Sequence, residues 1–359
     1  MKITLYAHFC KHRQNYNYLM FLLRVILYPF ALLYDLVTRI RNRLYDLGIK
    51  PSTGFDVPII CVGNLSVGGT GKTPMVEHLI RTYHQRFHVA TLSRGYGRKT
   101  RGVRIANSLD NASTIGDEPL QLYHKFHDTV TVAVSEDRAL GIVNLLDVYP
   151  DVKLILMDDA LQHRRVKPAL TILLTSFSRP FYRDFLLPAG RLRESKTGAQ
   201  RADAIVVTKC PPELSDEAMM DIEKSVRKFA DKPVFFSSIH YGNPIPFGGH
   251  SLALQDKVIL VTGIANTGSL KEYVSRQYEL VAHVKFPDHH HYTMADVQKI
   301  RNLVNPSTSI ITTEKDMVKL DDKAFKSAIS QLPFFYLPIE MEFIKNGEDF
   351  DALVQGVLD

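Results

Sequence analysis

Ser66-Val67-Gly68-Gly69-Thr70-Gly71-Lys72-Thr73 is the stretch that decides the fold. The apolar run Ile59-Ile60-Cys61-Val62 leads into it. Met75, Val76, Leu79, Ile80 and Tyr83 follow Pro74 at helical spacing. Strand, glycine-rich loop, Lys-Thr and helix, in that order, make the phosphate-binding loop of nucleotide hydrolases and kinases. Glycines let backbone N–H groups turn toward phosphate oxygens, and the helix N-terminus adds a favourable dipole. Ser66, Val67, Gly68, Gly69, Thr70 and Gly71 are therefore candidate nucleotide contacts. Lys72 is expected to reach the β- and γ-phosphates, and the Thr73 hydroxyl to bind Mg²⁺. The strict pattern begins with glycine; here Ser66 holds that place, and Gly68 and Gly69 bring the flexibility slightly later.

Working outward, strand-like runs at 58–62, 89–92, 129–134, 154–157, 171–174 and 204–207 alternate with helical stretches. That alternation predicts an α/β fold: a P-loop NTPase-type parallel sheet covered on both faces. Residues 211–232 read as a helix, and the Pro- and Gly-rich run 241–249 reads as a junction. Beyond it, 257–262 and 309–313 are strand-like. The expected organisation is an N-terminal helix over 1–48, a P-loop domain over 49–238 and a smaller α/β domain over 239–359.

Leu19 to Thr38 is strongly apolar, but Arg24, Pro29 and Asp35 interrupt it. A spanning helix needs about twenty apolar residues, and no small-residue cleavage site marks a signal peptide. Lys11 and Arg13 precede the stretch; Arg39, Arg41 and Arg43 follow it. A helix lying in the membrane interface, arginines against anionic headgroups, fits this pattern, with an ordinary core helix and, last, a true span as the alternatives. The 359-residue chain is 45% apolar and carries a net charge of +6, which suits anionic partners. It contains no nucleic-acid-reading module, so no nucleic acid partner is expected. Three widely spaced cysteines exclude a disulfide scaffold and a cysteine-built zinc site.

Leu154-Ile155-Leu156-Met157-Asp158-Asp159 ends a buried strand in two carboxylates, where a phosphate-binding loop needs a hard oxygen ligand for Mg²⁺. Gln162-His163-Arg164-Arg165 follows, polar enough to line the same cleft. Gly116-Asp117-Glu118-Pro119 opens a helix; it serves equally as a helix start or as the source of a general base, Asp117. The arginine-rich segments 93–98 and 187–194 suit bidentate phosphate binding or a solvated basic surface. In Phe286-Pro287-Asp288-His289-His290-His291-Tyr292, consecutive histidines do not converge on one ion, so an acid–base or hydrogen-bonding role beside the cleft is expected. Residues 311–316 end another strand in polar groups.

Taken in order, SVGGTGKTP, SRGYGR, GDEP, DDALQHRR, LLPAGRLRE, FPDHHHYT and TTEKD resemble the tetraacyldisaccharide 4′-kinase family, the membrane-associated lipid A kinases of Gram-negative bacteria. The resemblance spans roughly residues 20 to 320. This chain departs from it at Ala160-Leu161, where the family carries Gly-Phe, and at Ser195, where it often carries Pro. The resemblance implies that ATP, with Mg²⁺, phosphorylates the 4′-hydroxyl of an acylated glucosamine disaccharide 1-phosphate to give lipid IV-A. It implies Asp158 or Asp159 at the metal with Glu118 and Gln162, Asp117 as base assisted by His290 or His289, and Arg191 at the phosphates. It also implies a monomer on the cytoplasmic face of the inner membrane, peripheral or monotopic, working at the membrane lipid surface. A GTP-dependent metallochaperone is the alternative, since such proteins also join a phosphate loop to a histidine-rich segment. The guanine-reading Asn-Lys-x-Asp pattern is missing, however: Thr208-Lys209-Cys210-Pro211 lacks the Asp.

Overall fold

The computed structural model describes residues 2–250 and 252–358, with side chains described from residue 22 on. The expected basic flank at Lys11 and Arg13 lies outside those side chains.

Among the described residues, fourteen strands form two sheets. They are β1 (Ile59–Asn64), β2 (Val89–Ser93), β3 (Arg104–Ile105), β4 (Val130–Val134), β5 (Leu154–Asp158), β6 (Leu170–Ser176), β7 (Ala204–Thr208), β8 (Val234–Tyr241), β9 (Ile245–Pro246), β10 (Lys257–Thr262), β11 (Glu279–Lys285), β12 (Thr308–Thr313), β13 (Phe334–Leu337) and β14 (Ile339–Lys345). The nine-stranded sheet runs β14-β8-β7-β6-β1-β5-β2-β4-β3, and the five-stranded sheet runs β11-β10-β12-β13-β9. All pairings inside the large sheet are parallel except at its two edges, where β14 and β3 run antiparallel.

Strands β1, β2, β5, β6 and β7 are buried at every position, which explains their largely apolar sequences, broken in β2 and β6 by threonine and serine: both faces are covered. On one face, Met75, Val76, Leu79 and Ile80 of the helix Lys72–Tyr83 meet Ile60, Val62, Leu154 and Leu156. On the other, Ile142 and Leu145 of the helix Arg138–Val148 meet Ile59, Cys61, Ile155 and Met157. The alternation along each strand thus sorts odd and even positions into two separate cores.

The chain does not divide at 239 as the sequence suggested. β14 pairs antiparallel with β8, and Phe350 and Val354 of the helix Gly347–Gln355 join the core beside the helix Lys72–Tyr83. The smaller sheet is therefore built from the segment between β8 and β14. Gly242 N donates to the Pro338 carbonyl at 2.9 Å where the two crossings run side by side.

The N-terminal helix runs continuously from Lys2 to Asp46, through Pro29. One side docks on the large unit. Tyr34 donates its hydroxyl to the Arg193 carbonyl (2.8 Å), Asn42 donates to Glu194 Oε2 (2.9 Å), and Arg164 pairs with Asp46 (2.7 Å). The other side leaves Leu22, Ile26, Phe30, Leu33, Val37 and Ile40 exposed, at three- and four-residue steps that place them on one face. Among the described residues, no helix is long and apolar enough to cross a membrane.

Candidate active site

The phosphate loop leaves the end of β1 and enters the helix Lys72–Tyr83 directly. Its left-handed residues are Gly68 (φ 110°) and Gly71 (φ 87°), positions that a side chain would strain. Ser66 needs no such freedom: it forms an antiparallel bridge with Leu192, so a serine satisfies the place where the strict motif has glycine. The 187–194 segment lies along the loop, with Val67 N donating to the Arg191 carbonyl (2.8 Å) and Arg193 N to the Leu65 carbonyl (2.7 Å). That pairing brings the Arg191 guanidinium over Gly68, where it makes no ion pair among the described residues.

A loop whose N–H groups face inward must turn its carbonyls outward, and these need donors. The end of strand β7 and the residue after it supply them. Thr208 Oγ1 donates to the Thr70 carbonyl (2.7 Å) and Lys209 Nζ to the Gly69 carbonyl (2.8 Å). Asn64 Nδ2 donates to Thr70 Oγ1 at 2.7 Å.

The two aspartates at the end of β5 have different surroundings. Asp159 takes a bidentate pair from Arg193 (2.8 and 3.1 Å) and lies 3.8 Å from Lys72 Nζ. Burial pushes its carboxyl up, but Lys72 and Arg193 outweigh that and hold it below the usual carboxylate range. Asp158 is 2% exposed and its Oδ1 has no hydrogen-bond partner among the described residues. Burial, with the Glu118 charge and, beyond the opposing pull of Lys72, that of Asp159, pushes it up to about 7. A buried carboxylate oxygen with no partner is what a cation site looks like before the cation is added. Gln162 does not share this freedom. Its amide donates to the Asn64 carbonyl and to Glu194 (both 2.9 Å), and Arg193 donates to its Oε1 (3.3 Å). It braces Arg193 and the loop, in contrast to the metal-ligand role expected from the sequence. Glu118 faces Lys315 at 3.5 Å.

The histidine segment reaches the large unit through His289, whose left-handed backbone (φ 56°) turns its ring toward Asp117. His289 Nδ1 lies 3.1 Å from Asp117 Oδ2, Lys315 Nζ lies 3.2 Å from His289 Nε2, and Tyr96 packs on the ring at 5.1 Å. Asp117 is 6% exposed at the N-terminus of the helix Asp117–Phe126. Burial pushes its carboxyl up, but the His289 hydrogen bond and the Lys319 and Lys315 charges prevail and hold it below the ordinary value. His290 points elsewhere: it stacks on Phe286 (4.5 Å) and contacts Asp296 Oδ2 (3.1 Å), at the start of the helix Met294–Arg301. Of the two histidines the sequence leaves open, His289 is the one beside Asp117, and His290 is not. Adjacent side chains of a turn diverge, and only one of them can face the cleft.

Lys319, Arg193 and the Thr208-Lys209 pair escaped the sequence reading. Arg193 sits inside an arginine-rich motif already singled out, and Lys319 lies three residues after Asp316, one helical turn on. Lys209 carries the one visible cue, a lysine at a strand end inside an incomplete guanine-reading pattern. The described residues hold no group of three or more His, Cys, Asp or Glu side chains able to grip a metal ion by themselves. Mg²⁺ at phosphates does not need one, since water and phosphate oxygens fill most of its shell.

Comparison with known proteins matches the chain to a family. The model of the family described as "Tetraacyldisaccharide-1-P 4'-kinase" matches residues 23–359. The chain is 46% identical over 338 residues to the tetraacyldisaccharide 4'-kinase of Flavobacterium johnsoniae, covering 93% of this chain and 96% of that one. It is 42% identical to the protein of the same name from Bacteroides thetaiotaomicron, covering 90% of each. Among solved structures, the crystal structure of LpxK from Aquifex aeolicus in complex with ATP superposes with a TM-score of 0.75 at 29% identity, over 94% of this chain and 100% of that one.

Proposed function

This chain belongs to the tetraacyldisaccharide-1-P 4'-kinase family, and from that premise we propose how its residues use ATP to phosphorylate the 4′-hydroxyl of an acylated glucosamine disaccharide 1-phosphate, giving lipid IV-A. The metallochaperone alternative is set aside by the family match. The observation that carries the assignment of roles is the contact between Asp117 and His289 at 3.1 Å, made beside a complete phosphate loop.

The loop amides and Lys72 hold the triphosphate, and Arg191 reaches the transferring group from above Gly68. Phosphoryl transfer asks chiefly for alignment and charge neutralisation. Asp117 accepts the proton of the sugar hydroxyl through Oδ1 while His289 holds Oδ2. The hydroxyl oxygen bonds to the γ-phosphorus, the bond to the β–γ bridging oxygen breaks, and ADP leaves with that electron pair. Thr73 and Asp158, with Glu118 nearby, have the chemistry to hold Mg²⁺; the unpartnered Asp158 Oδ1 is the fitting donor. The ion neutralises phosphate charge when bound.

The exposed apolar face of the N-terminal helix rests in the membrane interface, on the cytoplasmic face of the inner membrane, where the acceptor's acyl chains lie. Tyr34 and Asn42 of that helix contact the 193–194 backbone and side chain, so the same segment touches the helix and the phosphate loop. One chain carries every group named, and a monomer suffices. The test is incubation of purified protein with γ-labelled ATP, Mg²⁺ and the tetraacylated disaccharide 1-phosphate in mixed micelles. A doubly phosphorylated lipid is the expected product, and its absence at every enzyme concentration overturns the assignment.

A further inference from the structure

Asp117 has a second neighbour that the proposed chemistry leaves unused. Lys319 sits on the helix Glu314–Leu320, which follows β12 in the smaller sheet. Its side chain is 4% exposed. Nζ lies 3.1 Å from Asp316 Oδ1, 3.7 Å from Asp117 Oδ2 and 5.5 Å from the centre of the Tyr292 ring. Asp316 is fully buried, and its Oδ2 accepts from Gly263 N (2.8 Å) and the Thr313 hydroxyl (2.8 Å). The carboxylate that anchors the lysine is thus fixed through Oδ2 by its own unit, and Oδ1 is left to the lysine.

A buried lysine is tolerated only with a partner. Asp316, one helical turn away, already provides that partner within the smaller unit. Nζ nevertheless lies between Asp316 and a carboxylate of the other unit, and it makes no well-directed hydrogen bond to a described residue. Both cationic or donor contacts to Asp117, from Lys319 and from His289, fall on the same oxygen, Oδ2. No described side chain or backbone group hydrogen-bonds Oδ1.

We propose that Lys319 is a positioning residue for phosphoryl transfer. Anchored by Asp316, it pins Oδ2 of Asp117 together with His289, so that Oδ1 is turned to the sugar hydroxyl. The base is then set only when the smaller unit is seated, because His289 and Lys319 both come from that unit. The proposal rests on the reading of Asp117 as the base.

A double-mutant cycle on the full chain separates the two ideas. Turnover and the KM for ATP are measured in mixed micelles for the wild type, Lys319→Met, Asp117→Asn and the double variant. Lys319→Met is expected to lower kcat by about tenfold or more and to leave the KM for ATP within about threefold, because the lysine acts on the base and not on the nucleotide. In the Asp117→Asn background the same change is expected to cost about twofold or less, since the charged carboxylate it positions has gone. Lys319→Arg, which keeps the charge, is expected to recover most of the kcat. A loss of equal size with and without the Asp117 carboxylate overturns the proposal, as does wild-type kcat in Lys319→Met. If Lys319→Met does not fold, Lys319→Gln, of similar length and able to hydrogen-bond Asp316, carries the same cycle. Wild-type turnover in Asp117→Asn would instead sink the base assignment itself, whatever Lys319 does.

Discussion

Arg193 grips Asp159 with two hydrogen bonds, at 2.8 and 3.1 Å, and its backbone carbonyl accepts the Tyr34 hydroxyl of the N-terminal helix. One residue therefore joins the helix proposed for the membrane surface to the carboxylate beside Lys72. With Asp159 held by a guanidinium, Asp158 is the aspartate whose Oδ1 keeps no hydrogen-bond partner among the described residues, which is why the proposal gives Mg²⁺ to it.

The base and its histidine differ in what their loss removes. Asp117→Ala is expected to lower kcat by roughly 10²- to 10⁴-fold, the range of general-base contributions, with little change in the KM for ATP. His289→Ala costs less, about ten- to a hundredfold, because the carboxylate remains. His290→Ala, by contrast, removes a contact to Asp296 and a stack on Phe286, so it affects thermal stability ahead of turnover. Steady-state kinetics with calorimetric melting of the three variants checks the order.

Asp158→Asn is expected to abolish Mg²⁺-dependent turnover and yet to stabilise the nucleotide-free protein. The sign follows from linkage. The folded-state carboxyl is raised from the ordinary 3.8 to about 7, so its favourable contribution is full below the unfolded value and is lost as pH rises toward 7. Melting temperatures measured without nucleotide from pH 5 to pH 8 should therefore show a variant advantage that grows with pH. A variant that is less stable at pH 8 than the wild type contradicts the burial argument.

Lys125 ties the two units together away from the chemistry. Its ammonium bridges Glu77 Oε2 (2.7 Å) and Glu314 Oε1 (2.6 Å), both nearly buried. Lys125→Met leaves buried Glu314 without a cation and Glu77 with Arg81 alone, at 3.6 Å, and is expected to destabilise by about 3 kcal/mol. Burial and the Glu77 charge already push Glu314 up. Removal of the lysine raises it further, so the deficit should shrink as pH falls toward 5, where protonation relieves the pair. Urea unfolding at two pH values reads both effects.

Phe30 and Leu33 are 61% exposed on the apolar side of the N-terminal helix. Phe30→Asp/Leu33→Asp should lower binding to anionic phospholipid vesicles by about tenfold or more, as two buried apolar groups are exchanged for charges. Co-sedimentation measures it. Unchanged sedimentation would remove the membrane surface from the proposal for this helix.

Much of the large sheet was legible because its strands are local: apolar runs near β1, β2, β4, β5, β6 and β7 end where the chain turns to loops or helices. The phosphate loop was legible because its chemistry depends on consecutive residues. Strands β3, β8, β9, β11, β13 and β14 were not recognised. The C-terminal boundary was misplaced because β14 finds its partner β8 across about a hundred residues and no local pattern encodes that return. The same limit applied at the site. Asp117 was visible in its motif, and so was a histidine run, but the choice of His289 over His290 depends on one left-handed residue. Gln162 was a metal ligand only by the family resemblance; its three hydrogen bonds commit it to Asn64, Glu194 and Arg193.

The pairing of Ile339 directly opposite Tyr241 has a practical consequence for dissecting this molecule. Seen from the edge of the large sheet, β8 and β14 are the arms of a hairpin whose turn has been replaced by an entire five-stranded body. Truncation after residue 238 would strip the sheet of its last strand and closing helix, and would spoil the part it meant to isolate. Excision of the inserted body, with a short turn joining the two arms, is the cut that respects how the polypeptide is laid out.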